Sequence, residues 1–234
     1  MLTSPQALAN EIRTPEELGT LAEGPNKRKD IKAPTVPIIS VPTSLSAGEY
    51  SNFAGGTEDS SKRKYSFQPP IRGPELVILD PELAQTTPDS IWLSTGVRAV
   101  DHCIETLCAV VGTTTSSDEL AQRALSLLVP GLLRCKKDHA DRAAYLQCQL
   151  GSVEAMAACT SGSIELGASH GIGHQVCYLS LTSLDLYDNG SIEFSSAHLA
   201  SVMARLAVFF CRPCANTMPS TMRTGINRTK CASS

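Results

Sequence analysis

Several features are missing from this 234-residue sequence. No apolar run approaches the ~18 residues a membrane-spanning helix needs. The opening MLTSPQALANEIRTPEEL has no basic stretch leading into an apolar one, so it does not read as a secretory signal. Neither charge sign dominates: 20 Lys and Arg stand against 23 Asp and Glu, a formal net charge of -3. That balance excludes a bulk electrostatic pull toward nucleic acid or an anionic membrane. No repeat recurs at the periods of solenoids or propellers. Cys211 and Cys214 form a C-x-x-C, but no second one exists and no βαβ pattern surrounds it, so neither a zinc site nor a redox motif is read there.

What is present fits a soluble globular protein: 42% hydrophobic and 18% charged residues, and length for one large or two modest domains. The nine cysteines are scattered and odd in number. Most lie within apolar helical patterns, which implies buried free thiols in a reducing, cytoplasmic compartment.

Along the chain, the spacing predicts a short helix opening at Thr14, with Pro15 at its first position and Glu16 and Glu17 in its first turn. TVPIISVPTSL reads as a strand ended by Pro42. SAGEYSNFAGGTEDSSKRKYSF reads as strand pieces about a glycine-rich turn. ELVILDPEL carries a compact apolar run, Leu76 to Leu79, with the look of a buried strand. After Pro88 the period changes. Val97, Val100, Ile104, Leu107 and Val111 recur at helical steps, while Arg98, His102 and Glu105 share another face and Asp101 points elsewhere. A second long helix is expected from a capping box at Ser116–Glu119 to Lys136 and Lys137, kinked or ended early by Pro130. A third covers DRAAYLQCQLGSVEAMAACTS, with Tyr145, Leu146, Leu150, Val153 and Met156 or Ala157 inward. Strands therefore precede helices: an α/β portion ends near residue 90 and an all-helical portion follows. Beyond residue 176 one helical run is expected, 196–210, and the last twenty or so residues read as disordered.

Three stretches carry chemistry. In ELGASHGIGHQ, His170 and His174 are four apart among small residues that let a ligand or another backbone approach. Either they act on a ligand or metal, or they are polar residues at a helix end. Arg98, His102 and Glu105 are either a site face or a solvated stripe. PTSLSAGE follows a strand with small hydroxylated residues, a turn that can present hydroxyls and N–H groups to phosphate, or an ordinary loop.

Taken in order, SVPTSLSAGEYSNFAGGTED, ELVILDPELAQTTP, WLSTGVRAVDHCIETLC and GASHGIGHQ resemble the iron-containing alcohol dehydrogenase superfamily. The resemblance covers roughly residues 5 to 175. It implies a dehydroquinate synthase-like architecture: residues 1–90 as a partial α/β dinucleotide-binding domain, 91–175 as a partial all-helical domain, and 176–234 as a divergent tail. It also implies hydride transfer between NAD(H) or NADP(H) and an alcohol carbon. Carried over by position, Thr43, Ser44 and Ser46 would face the cofactor, with Lys64 nearby. His102 and His170 match the family's ligand histidines, and His174 the histidine beside the nicotinamide and substrate.

The departures reshape that expectation. Where the family places a ligand aspartate, four before His102, this chain has Arg98, which cannot ligate and whose charge repels a cation. The family's P-H-G is absent. Tightly bound iron or zinc is therefore not expected; were a metal present, His102 and His170 would hold it. This pattern is similar to the maleylacetate reductase branch, with Arg98 favouring a carboxylate-bearing substrate and His102, His170 or His174 handling the proton. The expected partners are a small carbonyl or carboxylate compound and a second copy of the chain in a homodimer, with neither nucleic acid nor membrane. The family's glycine-rich G-G-G-S is not in the sequence and the resemblance stops at Gln175, so the chain is expected to be truncated at both ends. A metal-dependent alcohol dehydrogenase and an inactive remnant are the competing readings.

Overall fold

The computed structural model describes residues 3–58, 64–67, 70, 72–162, 164–165 and 167. The predicted 196–210 helix and the polar C-terminus lie outside the described residues. Helix α1 (Thr3–Ala9), which the sequence pattern did not predict, precedes α2 (Pro15–Gly19). Helix α2 opens at Thr14, as expected: the Thr14 hydroxyl accepts the Glu17 N–H at 3.2 Å and the Glu17 carboxylate accepts the Thr14 N–H at 3.4 Å.

The strands are shorter than the apolar runs that encode them. β1 (Ile39–Ser40) pairs in parallel with β4 (Leu76–Val77), Ile39 opposite Leu76. β2 (Ala54–Thr57) and β3 (Lys64–Phe67) form an antiparallel pair, with Ala54 opposite Phe67. Pro37 and Pro42 flank β1 and have no N–H to donate to a ladder, which limits its length. The expectation that Leu76 to Leu79 forms a buried strand is corrected. Ile39 is 61% and Leu76 50% exposed, and Val41 and Ile78 are also open. Parallel strands are ordinarily covered on both faces; among the described residues the Ser40 side of this pair is buried and the Ile39–Leu76 side is left open.

From Asp80 onward the described regular structure is helical. The Asp80 carboxylate accepts the N–H groups of Glu82 and Leu83 and caps α3 (Pro81–Ala84). Three long helices follow: α4 (Asp89–Cys108), α5 (Thr115–Lys137) and α6 (Arg142–Thr160). They pack on one another around Ala99, Cys103, Ala121, Ala124, Leu125, Leu128, Ala155 and Ala158. A second cluster joins Leu45 and Ala84 to Trp92, Cys135, Ala144, Tyr145 and Cys148.

Two helical expectations are corrected, and of the two outcomes expected for Pro130 the early end is excluded. The cap of α5 is Thr114 paired with Ser117, two residues before the predicted box, because the Ser117 side chain is buried there and closes the reciprocal bonds. Pro130 does not end α5. Pro130 and Ser126, whose carbonyl it leaves without an intrahelical N–H, are both exposed, so that carbonyl is open to solvent. On α6 the inward face carries Tyr145, Cys148, Gln149, Ser152, Ala155 and Ala158, whereas Leu146 and Leu150 are exposed. Small residues win that face because α5 approaches closely: a Cβ on Gly151 would sit 2.8 Å from Leu128 Cγ.

Candidate functional site: a clamped loop beside a buried polar helix face

Residues 42–49 leave β1 and turn across the N-terminal half of α4 and the middle of α6. Each anchor is a side chain reaching the loop backbone. Thr87 Oγ1 donates to the Thr43 carbonyl at 2.7 Å. The Leu45 N–H donates to Thr95 Oγ1 at 3.1 Å, and Ser152 Oγ donates to the Leu45 carbonyl at 2.8 Å. Because the single Ser152 proton is committed to Leu45, the 2.7 Å contact between Ser152 and Tyr50 has the Tyr50 hydroxyl as donor. Burial pushes the Tyr50 phenol up to about 12; the Ser152 bond acts in the opposite direction, and Glu49 adds to the rise. Gln149 Nε2 makes longer contacts, 3.4 Å each, with the carbonyls of Pro42 and Asp80. Leu45 is fully buried as the hydrophobic pin of the loop.

This clamp aims the predicted hydroxyls outward. Thr43 is exposed, and Ser44 and Ser46 are half-buried with their hydroxyls 3.1 Å apart. Ser46 opens onto a cleft of about 300 Å³ whose wall includes Ser40, Gly48, Phe53 and Gly55. Gly48 and Gly55 leave backbone accessible there, which suits contact with an extended polar ligand. Lys64 stands on β3 opposite Thr57, with its side chain outside the described residues.

The second element is the C-terminal half of α4. Asp101, His102, Cys103, Ile104, Glu105 and Thr106 are all buried, which removes the solvated-stripe reading of His102 and Glu105. Placing two carboxyls and an imidazole inside a helical packing is costly unless opposite charge or hydrogen bonds compensate. Arg98 is half-buried on the same helix. Its charge reaches Cys159 on α6: burial raises that thiol to about 11, while Arg98 eases its ionisation and Glu105 opposes it. Gly167, from the small-residue stretch preceding His170, comes against this face, where an added Cβ would lie 3.3 Å from Glu105 Oε1. The structure thus brings Arg98, Glu105 and Gly167 toward one region. His170 and His174 themselves lie outside the described residues.

Among the described residues no three His, Cys, Asp or Glu side chains are grouped to hold a metal ion. Arg98 next to this face has only N–H donors and cannot itself ligate a cation, whereas His102 and Glu105 on the face are of ligand type. No helix among the described residues is long and apolar enough to cross a membrane. Thr95, Gln149, Ser152 and Tyr50 were not singled out from the sequence. The available signal was Gln149 and Ser152, three apart, interrupting the apolar positions of a helix.

No protein-family model matches the chain. Solved structures place its fold. A sulfoacetaldehyde reductase from Bifidobacterium kashiwanohense, determined in complex with NAD+, superposes with a TM-score of 0.66 at 20% identity, over 89% of this chain and 51% of that one. The fold is therefore that of the iron-type, dehydroquinate synthase-like dehydrogenases, in partial form. The curated relatives agree: Dehydrogenase FUM7 of Gibberella moniliformis is 35% identical over 187 residues, which is 72% of this chain and 43% of the relative. Dehydrogenase ALT3 of Alternaria alternata is 36% identical over 161 residues, 63% of this chain and 41% of the relative. The chain belongs to the iron-containing alcohol dehydrogenase superfamily and spans about two fifths of the length of these relatives. Relatives named for methanol, butanol and maleylacetate stand at 29%, 27% and 26% identity, so similarity does not single out the maleylacetate reductase branch.

Proposed function

We propose that this chain carries part of an NAD(P)-dependent oxidoreductase that reduces a small oxo-carboxylate without a resident divalent metal. The observation that carries the reading is the placement of half-buried Arg98 on the same helix as the buried His102 and Glu105, with Gly167 lying against Glu105. A guanidinium at that place holds a substrate carboxylate by charge-assisted bonds. An imidazole from His102, or from His170 or His174, polarises the carbonyl and gives the proton. NAD(H) or NADP(H) supplies the hydride. Thr43, Ser44 and Ser46 would line its polar portion, held at the surface by the Thr87, Thr95 and Ser152 anchors. A homodimer and a cytoplasmic setting belong to the same reading.

The test is titration of the purified chain with NADH and NADPH by calorimetry, followed by turnover of maleylacetate and simple aldehydes. Saturable binding and turnover of the carboxylate-bearing substrate are expected. Loss of one charge-assisted pair in Arg98→Gln costs about 1.5–3 kcal/mol, so KM for the oxo-carboxylate should rise roughly 10- to 100-fold with little change for an aldehyde. No saturable signal at millimolar cofactor, or stoichiometric iron or zinc in the purified protein, would overturn the proposal.

A further inference from the structure

Two thiols unrelated to the cleft face each other between α5 and α6. Cys135 Sγ and Cys148 Sγ are 3.9 Å apart, within van der Waals contact. Both are buried, Cys148 fully and Cys135 to 3% relative exposure, in the cluster of Leu45, Trp92, Ala144 and Tyr145. The approach is built by Gly131, one helical turn before Cys135 on the same face of α5: a Cβ there would stand 2.7 Å from Cys148 Sγ. The two cysteines are thirteen positions apart, and the tight α5–α6 turn lies between them.

We propose that Cys135 and Cys148 form a reversible oxidation site, closing to a disulfide that staples α5 to α6 when the protein meets a hydroperoxide. The sulfurs need to move from 3.9 Å to about 2.05 Å, the range of side-chain rotation rather than of helix displacement. The two thiols are unequal. The contact with Cys148 stabilises the Cys135 thiolate, opposed by burial; the Trp92 indole N–H, which makes no full hydrogen bond, and the Arg134 charge assist. The same contact and burial push the Cys148 thiol up. Cys135, which also keeps the only residual exposure of the pair, is the first nucleophile.

Its thiolate attacks one peroxide oxygen and the O–O bond breaks. The departing hydroxide takes the proton that Cys135 released, leaving water and a Cys135 sulfenic acid. The Cys148 sulfur then attacks Cys135 Sγ and the S–O bond breaks. Hydroxide departs with the Cys148 proton as a second water. Two thiols lose two electrons in all, and one peroxide is reduced to two waters.

The folded full chain carries its own controls. Cys103 and Cys159 are free thiols of the same helical packing, raised chiefly by burial; Cys103 Sγ bonds to the Ala99 carbonyl and Cys159 Sγ lies against the Met156 thioether, which cannot form a disulfide. The experiment treats the chain with hydrogen peroxide, quenches with iodoacetamide under denaturing conditions and maps the peptides. The expected product is a Cys135–Cys148 cross-link lighter by two hydrogens and reversed by dithiothreitol, with Cys103 and Cys159 still alkylated. Cys148→Ser should stop at a Cys135 sulfenic acid that dimedone traps, and Cys135→Ala should leave Cys148 unoxidised. If either variant loses its helical circular dichroism, mapping of the unmutated chain decides alone. Full alkylation of both thiols after peroxide would overturn the proposal. So would equal oxidation of Cys103 or Cys159, or pairings as scattered as those obtained in urea.

Discussion

Ser152→Ala is the sharpest probe of how the helices hold the loop. The serine hydroxyl is fully buried, donates to the Leu45 carbonyl at 2.8 Å and accepts from Tyr50 at 2.7 Å. Alanine fits the space but leaves that carbonyl and the Tyr50 O–H without partners. Each lost bond is worth about 1 kcal/mol, and each orphaned buried group adds a desolvation penalty, so a destabilisation of about 2–4 kcal/mol is expected. Against the 5–15 kcal/mol typical of a domain, that is a large fraction. Trp92, the only tryptophan, packs in the same cluster as Leu45 and so reports the loop directly. Urea unfolding followed by its fluorescence should give a lower midpoint at unchanged slope. Tyr50→Phe should cost less, about 1 kcal/mol, because Ser152 keeps its bond to Leu45. The double variant should show a coupling of about 1 kcal/mol. A Ser152→Ala chain within about 0.5 kcal/mol of the parent would refute the clamp.

Two further outcomes are expected. The Tyr50 phenol is raised from 10.0 to about 12, so its contribution is complete below pH 10 and declines as pH rises toward 12. Two pKa units correspond to up to about 2–3 kcal/mol, more than the roughly 1 kcal/mol by which the parent exceeds Tyr50→Phe, so their alkaline unfolding curves should converge and then cross within that window; parallel curves would contradict it. Gly151→Ala gains about 1 kcal/mol of helix propensity but forces Leu128, fully buried, away from a 2.8 Å contact. Overpacking of about 1–3 kcal/mol should prevail, giving a lower thermal midpoint, whereas a higher one would mean the helices are not pressed together there.

Local chemistry was readable where it acts locally. Thr14, Pro15 and Glu17 announce a helix start because every group in that cap lies within four residues. The switch from strand to helix after Pro88 follows from period alone. Thr114 was missed because Ser116 and Glu119 also satisfy the capping pattern; which of them caps depends on Ser117 being buried, a tertiary fact. Leu150 was assigned inward by hydrophobicity, but α5 comes so near that Gly151 and Ser152 fit where leucine does not. For the site, the hydroxyls of residues 43–46 and the Arg98–His102 face were visible as residue types in order. Their anchors were not, because Ser152 lies 107 positions from Leu45 and no spacing rule connects them. The apolar run at Leu76 reads as buried because an unbroken run has no polar face, yet Leu76 and Ile78 are exposed among the described residues.

Ala47 sits in the middle of the loop with a φ of 62° and is fully buried. An alanine adopts that backbone shape unwillingly, at about 1–2 kcal/mol, and nothing in the sequence around it asks for the reversal. The bend is imposed from outside, by Thr95, Ser152 and the seat of Leu45. The loop behaves as a bowed spring, with the helices as its frame. Loosen the frame and the spring straightens, carrying Ser44 and Ser46 off their aim before any residue that would touch a ligand has changed. If the proposed cofactor binds at this surface, its recognition is a mechanical property of the helical half, and damage far from the cleft will register there first as lost geometry.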